Sequence, residues 1–324
     1  MVTERFIGGK TISPLVRLLT LAIPVGKRAG CAPLVFREER NTIKDTMLRN
    51  IHWLIASLAM GFVPSSLGAE LPERLVSFSL AAKPPEQIVL RYLATFPHDH
   101  TAFTQGLLWN DGYLYESTGQ YGQSTLRRVE PKSGKVTARA HLTPQFFAEG
   151  LALVGDSLFQ ITWRENTCFV LEKATFQKKG EFRYPGEGWG LTSDGESLIM
   201  SDGTNVIRFF DPQTFKPKHK IEVVDTPKNQ RPVPIRNLNE LEWIRGEIWA
   251  NVWQTTKIVR IDPKKGNVLG WIEMAPFVPP EHRGDTQNCV LNGIAFDPVT
   301  NHVYITGKYW NVMHQFQLEI PEKK

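Results

Sequence analysis

One carboxylate stands out for its company. In the segment FFAEGLALVGDSLFQITW, residues 146–163, Glu149 sits among mostly apolar or small residues, directly before Gly150-Leu151. The same slot recurs along the chain with other occupants. Gln105 precedes Gly106-Leu107, Trp189 precedes Gly190-Leu191, Asn239 precedes Glu240-Leu241, and Asn292 precedes Gly293-Ile294. The set is one acid, three amides and one indole. A carboxyl group held against aromatic rings resists ionisation, so its pKa climbs from ~4.3 toward neutrality. Such a group can accept a proton and hand it back. Taken singly, these residues have plainer readings. Glu149 serves equally to hold channel water, the tryptophans read as core, and the asparagines as strand ends. Their convergence on one place is what would make a site.

The elements that must position them follow from an internal repeat. Five segments share one plan, and the slots are spaced by 44, 40, 50 and 53 residues. After each slot comes a strand and then a turn, as in Asn110-Asp111-Gly112, Gly155-Asp156, Ser193-Asp194-Gly195 and Arg245-Gly246, which suit tight hairpins. An alternating strand follows: YLYES, SLFQITW, SLIMSD, EIWANVW or HVYITGK. Third strands such as TLRRVEP, VIRFFDP and KIVRIDP end at an acid-proline pair, a strand terminator, and a fourth strand comes after. Units of four strands with a period of about 40–50 residues are the signature of propeller blades. The reading is an all-β fold, a five-bladed β-propeller over residues 80–320, with a six-bladed ring as the alternative. The strand IVLRYLATF would complete the last blade and protect the open edges.

In such a ring the first strand of each blade lines the axis. Gln105, Glu149, Trp189, Asn239 and Asn292 therefore circle one mouth of the channel. Strands one and two are antiparallel, so Trp163, Trp253 and Lys308, at the far ends of their second strands, return to the same mouth. Lys308 alone would read as a solvated strand residue.

The net charge of +5 belongs to the N-terminal segment. Residues 1–69 hold nine Lys/Arg and four Asp/Glu, and the remainder carries 29 of each. The folded part gives no support for nucleic-acid binding. Met47 opens a leader-like stretch, with Arg49, an apolar run from Ile51 to Val63, and Leu67-Gly68-Ala69 as a small-residue cleavage site. The expectation is an upstream extension over 1–46, a signal peptide over 47–69 cut near Ala69, and an exported (periplasmic or secreted) mature chain. An uncleaved membrane anchor is the alternative, although the stretch is short for a span. Of the three cysteines, Cys168 and Cys289 fall in the mature part and read as two small buried thiols, with a bridge open in an oxidising compartment. No Cys or His spacing suggests zinc.

The motifs FTQGL, YESTGQYGQSTLR, EGLALVGDSLFQITW, GEGWGLTSDG, LNELEWIRGEIWANVWQTTKIVRIDP and LNGIAFDP…ITGKYW together resemble the plant-type (bacterial and plant) glutaminyl-peptide cyclotransferases, over about residues 88–320. The resemblance implies a five-bladed propeller that converts the N-terminal glutamine of a peptide to pyroglutamate with release of ammonia. It implies Glu149 as the catalytic acid–base, with Lys308 and Asn239 beside it. It further implies a substrate pocket of Phe103, Gln105, Trp163, Trp189, Trp253 and, from the ring, Asn292. No metal and no cofactor are expected for the reaction, and a structural ion in the channel stays open. The partners expected are peptides or proteins beginning with glutamine, met by a monomer. Two other classes compete. One is a non-catalytic propeller that binds peptide N-termini or sugars. The other is a propeller hydrolase: a calcium-dependent lactonase-like enzyme, or a glycosidase using Glu240 or Glu242 as its second carboxylate.

Overall fold

The computed structural model describes residues 87–228 and 230–320. The extension, the leader and its cleavage site lie outside the described residues. No helix among those described is long and apolar enough to cross a membrane.

Five four-stranded antiparallel sheets follow one another along the chain. Blade one runs through Thr104–Asn110, Tyr113–Thr118, Thr125–Glu130 and Lys135–His141, and blade two through Ala148–Val154, Ser157–Thr162, Thr167–Glu172 and Lys178–Arg183. Blade three has shorter inner strands, Leu191–Ser193 and Leu198–Met200, before Val206–Phe210 and Pro217–Glu222. Blade four comprises Leu238–Ile244, Glu247–Val252, Lys257–Ile261 and Val268–Glu273. Blade five takes three strands from the C-terminal end, Leu291–Asp297, His302–Gly307 and Val312–Glu319. Its outer strand comes from the beginning of the described chain: Val89–Pro97 pairs antiparallel with Val312–Glu319. The ring is thus closed by hydrogen bonds between the two ends, as the strand IVLRYLATF predicted. The inner strands touch in cyclic order, five against one included, so the ring has five blades and not six.

The hairpins form where the sequence carries the right residues. Asp111 and Gly112 have φ of 50° and 83°, and Arg245 and Gly246 have 51° and 84°. Two successive positive φ values match the twist of the flanking strands. Core packing is divided among the joints between blades. Blades four and five are sealed by a cluster around Trp249, Ile294, Phe316 and the fully buried Trp310. Four further clusters fill the other joints. Cys168 is a free thiol buried in one of them. It makes no bridge to Cys289, which is also buried; of the two expected thiols only Cys168 is free.

Near the axis the backbones crowd. A Cβ on Gly150 would lie 2.3 Å from the amide nitrogen of Leu191, and one on Gly190 would lie 2.0 Å from the carbonyl oxygen of Asn239. No side chain fits in either place, which is why the Gly-Leu pair repeats.

Candidate active site

Four of the five slots converge on one hollow, those of Gln105, Glu149, Trp189 and Asn239, and a local device aims them. In four blades the register between the first two strands slips at the slot: between Thr104 and Gly106, Ala148 and Leu151, Leu238 and Leu241, and Leu291 and Ile294. Each slip is a bulge, which breaks the in–out alternation and turns a side chain out of the sheet plane. A second device repeats with it. The residue after strand two donates its backbone N–H to the carbonyl two positions before the slot. These bonds are Gly119 to Phe103 (2.8 Å), and Trp163 to Phe147, Trp253 to Asn237 and Lys308 to Val290 (2.9 Å each). That bond carries Trp163, Trp253 and Lys308 to the mouth where the bulges point.

The result is a hollow of about 100 Å³ lined by Phe103, Gln105, Phe147, Glu149, Trp163, Trp189, Asn239, Trp253 and Lys308, with Gln120, Gln287 and Asn288 completing it. It is small beside the several hundred Å³ of ordinary ligand pockets, and its size suits one amino-acid side chain. The aromatic walls interlock. Trp189 meets Trp253 edge-on at 5.6 Å, Phe147 meets Trp163 at 5.6 Å, and Phe103 meets Phe147 at 6.0 Å.

Glu149 is 4% exposed and accepts one hydrogen bond, from Gln105 Nε2 to its Oε1 at 2.9 Å. Burial pushes its pKa well above the usual carboxylate range. The positive charge of Lys308 opposes that shift, and the negative charges of Glu187 and Glu165 add to it. Lys308 is equally buried, with its Nζ 4.6 Å from the centre of the Phe103 ring. Burial brings its pKa down to about 8 against the pull of Glu149. A reluctant acid and a reluctant base thus share one hollow. The side-chain oxygen of Asn239 is buried without a hydrogen-bond partner among the described residues, an acceptor waiting for a donor.

The comparisons with known proteins agree with this geometry. The profile of the glutamine cyclotransferase family matches residues 67–318. The chain belongs to that family. A glutaminyl-peptide cyclotransferase of Arabidopsis thaliana is 42% identical over 238 residues, covering 71% of each chain. The crystal structure of the glutaminyl cyclase of Myxococcus xanthus superposes with a TM-score of 0.65 at 34% identity, over 74% of this chain and all of that one.

Within the cyclotransferase ring, one expected pocket residue stands elsewhere. Asn292 does not line the hollow. It is fully buried behind Gln105 and donates through Nδ2 to the Thr104 carbonyl (2.9 Å) and to Gln105 Oε1 (3.2 Å). By holding the oxygen of the Gln105 amide, it leaves the nitrogen to face Glu149. The last slot is a support because Gly293, at φ 114°, turns the bulge differently from its counterparts.

Glu240 and Glu242, weighed as a second catalytic carboxylate, are also absent from the hollow. Glu240 stands where other blades have glycine and spans the axis, accepting the backbone N–H groups of Leu107 (3.2 Å) and Ile294 (2.9 Å). Glu242 accepts that of Phe296 at 2.9 Å. Both acids satisfy backbone N–H groups within neighbouring inner strands.

Reading the sequence missed Phe147, Gln120, Gln287, Asn288 and an acid behind the wall, Glu187. Phe147 had a signal, since it lies two positions before its slot, as Phe103 does. Glu187 also had one, two residues before Trp189 in the quoted GEGWG. Gln287 and Asn288 lie between blades four and five, outside the repeat, where no period marks them.

Proposed function

We propose that this chain cyclises N-terminal glutamine in peptides and proteins to pyroglutamate, with Glu149 as the proton shuttle. One observation supports this reading above the others: a carboxyl group with a strongly raised pKa, enclosed by three indoles and facing a depressed-pKa lysine, in a hollow sized for one side chain.

The substrate brings both reactants. Its α-amine attacks its own side-chain amide carbon, a ring C–N bond forms, and the bond to the leaving nitrogen breaks. The acyl group passes from one nitrogen to another, which makes the enzyme an acyltransferase of the aminoacyl type. Nothing is oxidised or reduced, and the step calls for no cofactor and no metal. Folding the glutamine side chain back on its own amine removes entropy before the reaction begins, and the walls of Trp163, Trp189, Trp253, Phe103 and Phe147 impose that fold.

An α-ammonium has a pKa of ~7.7–8.0. A carboxylate whose own pKa is raised toward that value takes one proton from the ammonium without a large barrier; ring closure frees a second from the same nitrogen, and with both returned to the departing amide nitrogen it leaves as ammonium, in equilibrium with ammonia. The hydrogen bond from Gln105 fixes one carboxylate oxygen and leaves the other to the substrate. Lys308, charged below about 8, is placed to stabilise the oxyanion of the tetrahedral intermediate. Gln105 has its amide nitrogen engaged with Glu149, and the unpartnered Asn239 oxygen suits an N–H of the substrate. Action as a monomer is part of this proposal, and size-exclusion chromatography checks it. The 47–69 stretch supports export, which sequencing of the mature N-terminus checks.

The test is mass spectrometry of a peptide beginning with glutamine. The wild-type protein gives a product lighter by one ammonia, with or without EDTA. Glu149→Gln keeps the circular dichroism of the fold and gives no such product. Normal turnover by that variant removes the shuttle, and loss of wild-type activity in EDTA that zinc restores removes metal independence. Saturable binding of the peptide without ammonia release would favour the non-catalytic reading.

A further inference from the structure

We propose that Glu187 is a positioning residue for the cyclisation: a single carboxylate oxygen holds two indole walls, one from blade two and one from blade three, in fixed orientation around the substrate. The inference rests on the cyclase reading above. Glu187 Oε2 accepts the ring N–H of Trp163 at 2.8 Å and that of Trp189 at 2.9 Å. Its other oxygen, Oε1, accepts Nε of Arg164 at 3.0 Å. The Arg164 guanidinium in turn lies 3.7 Å from the centre of the Trp163 ring. A flat indole wall can swing about its bond to the backbone. Here both walls are tied to one atom, so neither swings without the other.

The carboxylate is itself held in place. Arg208 of blade three donates to the backbone carbonyls of Pro185 (2.8 Å) and Glu187 (2.9 Å). Gly188 N–H donates to the Trp163 carbonyl at 3.0 Å. A Cβ on Gly188 would lie 2.4 Å from the Tyr184 hydroxyl oxygen, and that hydroxyl spans to the backbone of Thr162. The segment 184–189 is therefore a strut between two blades, with Glu187 at its tip.

A second consequence follows from the charge. The hydrogen bonds from Trp189, Trp163 and Arg164 outweigh the desolvation that opposes them and keep the Glu187 carboxyl below its usual pKa, so it is ionised at neutral pH. It stands close enough to raise the pKa of Glu149. The other charged groups acting on Glu149 are Lys308 from blade five and Glu165 from the loop after Trp163. Those acting on Glu187 include Arg164. Removing the negative charge of Glu187 lowers the Glu149 pKa. The working carboxylate then persists to lower pH, and the acid limb of kcat/KM moves down.

Two variants separate the roles. Glu187→Ala removes both the acceptor and the charge. Glu187→Gln keeps an oxygen for the indoles and removes the charge. For Glu187→Ala we expect KM for a glutamine-initiated peptide to rise about tenfold or more, the scale of losing hydrogen bonds to an ionised group. The indole N–H resonances of Trp163 and Trp189 should move as well. For Glu187→Gln we expect KM to stay within about threefold while the acid limb shifts to lower pH. Unmoved indole resonances and an unchanged KM in Glu187→Ala would overturn the proposal, as would a Glu187→Gln variant equal to Glu187→Ala in KM with no shift of the limb. A wild-type protein that releases no ammonia would defeat the cyclase reading instead, and the resonances would still report on the clamp.

Discussion

At the scale of single residues, the chemistry rests on groups placed where they resist their usual charge. Glu149 and Lys308 are each about as buried as the core aliphatics around them. Lys308 carries the clearer prediction, because its pKa is brought down to about 8. It is a cation below that value and neutral above it, so activity that needs its charge falls as pH rises through about 8. Lys308→Ala should lower kcat on the order of 10²-fold, as loss of an oxyanion donor does, and should flatten that alkaline limb in stopped assays across pH. An unchanged limb would assign it to the substrate amine instead. Most of these residues were legible in the sequence, because a repeated slot with a changing occupant exposes the odd one out. Asn292 was misjudged for the same reason: the repeat fixes the position in the strand, while the left-handed φ of Gly293 fixes where the side chain goes.

At the scale of elements, the inner strand must come close to its neighbour and still release one side chain to the hub. Glycine allows the approach, and the bulge provides the release. Gly150→Ala puts a methyl group where the backbone of Leu191 already lies, 2.3 Å away. Overpacking of this kind costs about 2–3 kcal/mol, or roughly 5–10 °C in Tm for a domain of this size. Thermal denaturation followed by circular dichroism measures it, and an unchanged Tm would mean that the blades can part at little cost. The strands and turns were readable because acid-proline ends, two-residue turns and alternating runs are local signals. The bulges were not. Each is a slip of one strand against another, and only pairing reveals it. The strut at 184–189 escaped for a related reason: its meaning depends on two indoles from different blades meeting one oxygen.

At the scale of the whole ring, buried acids on the axis link stability to pH. Burial pushes the Glu242 carboxyl up to about 8, against the hydrogen bonds it accepts from Phe296, Trp243 and Thr192. In the unfolded chain the same group titrates near ~4.3. The folded state therefore holds a proton that the unfolded chain has lost throughout the interval between those values. The contribution of this group to stability declines as pH rises from ~4.3 to about 8. Chemical denaturation at pH 5 and pH 8 should show that decline, and Glu242→Gln should reduce it; an equal slope in the variant would place the effect on other groups. The five-bladed plan itself was legible from the spacing of its slots, and so was its closure, because a lone strand before five complete units has one open edge to join.

That closure also decides which side of the disc the chain leaves from. Strand Val312–Glu319 starts four residues beyond Lys308, at the mouth, and runs away from it. Val89 pairs with Glu319 at its far end. Both ends of the ring-forming segment therefore exit together on the underside. A tag, a surface tether or a fused domain joined at either point would start from beneath the disc, on the face opposite the entrance.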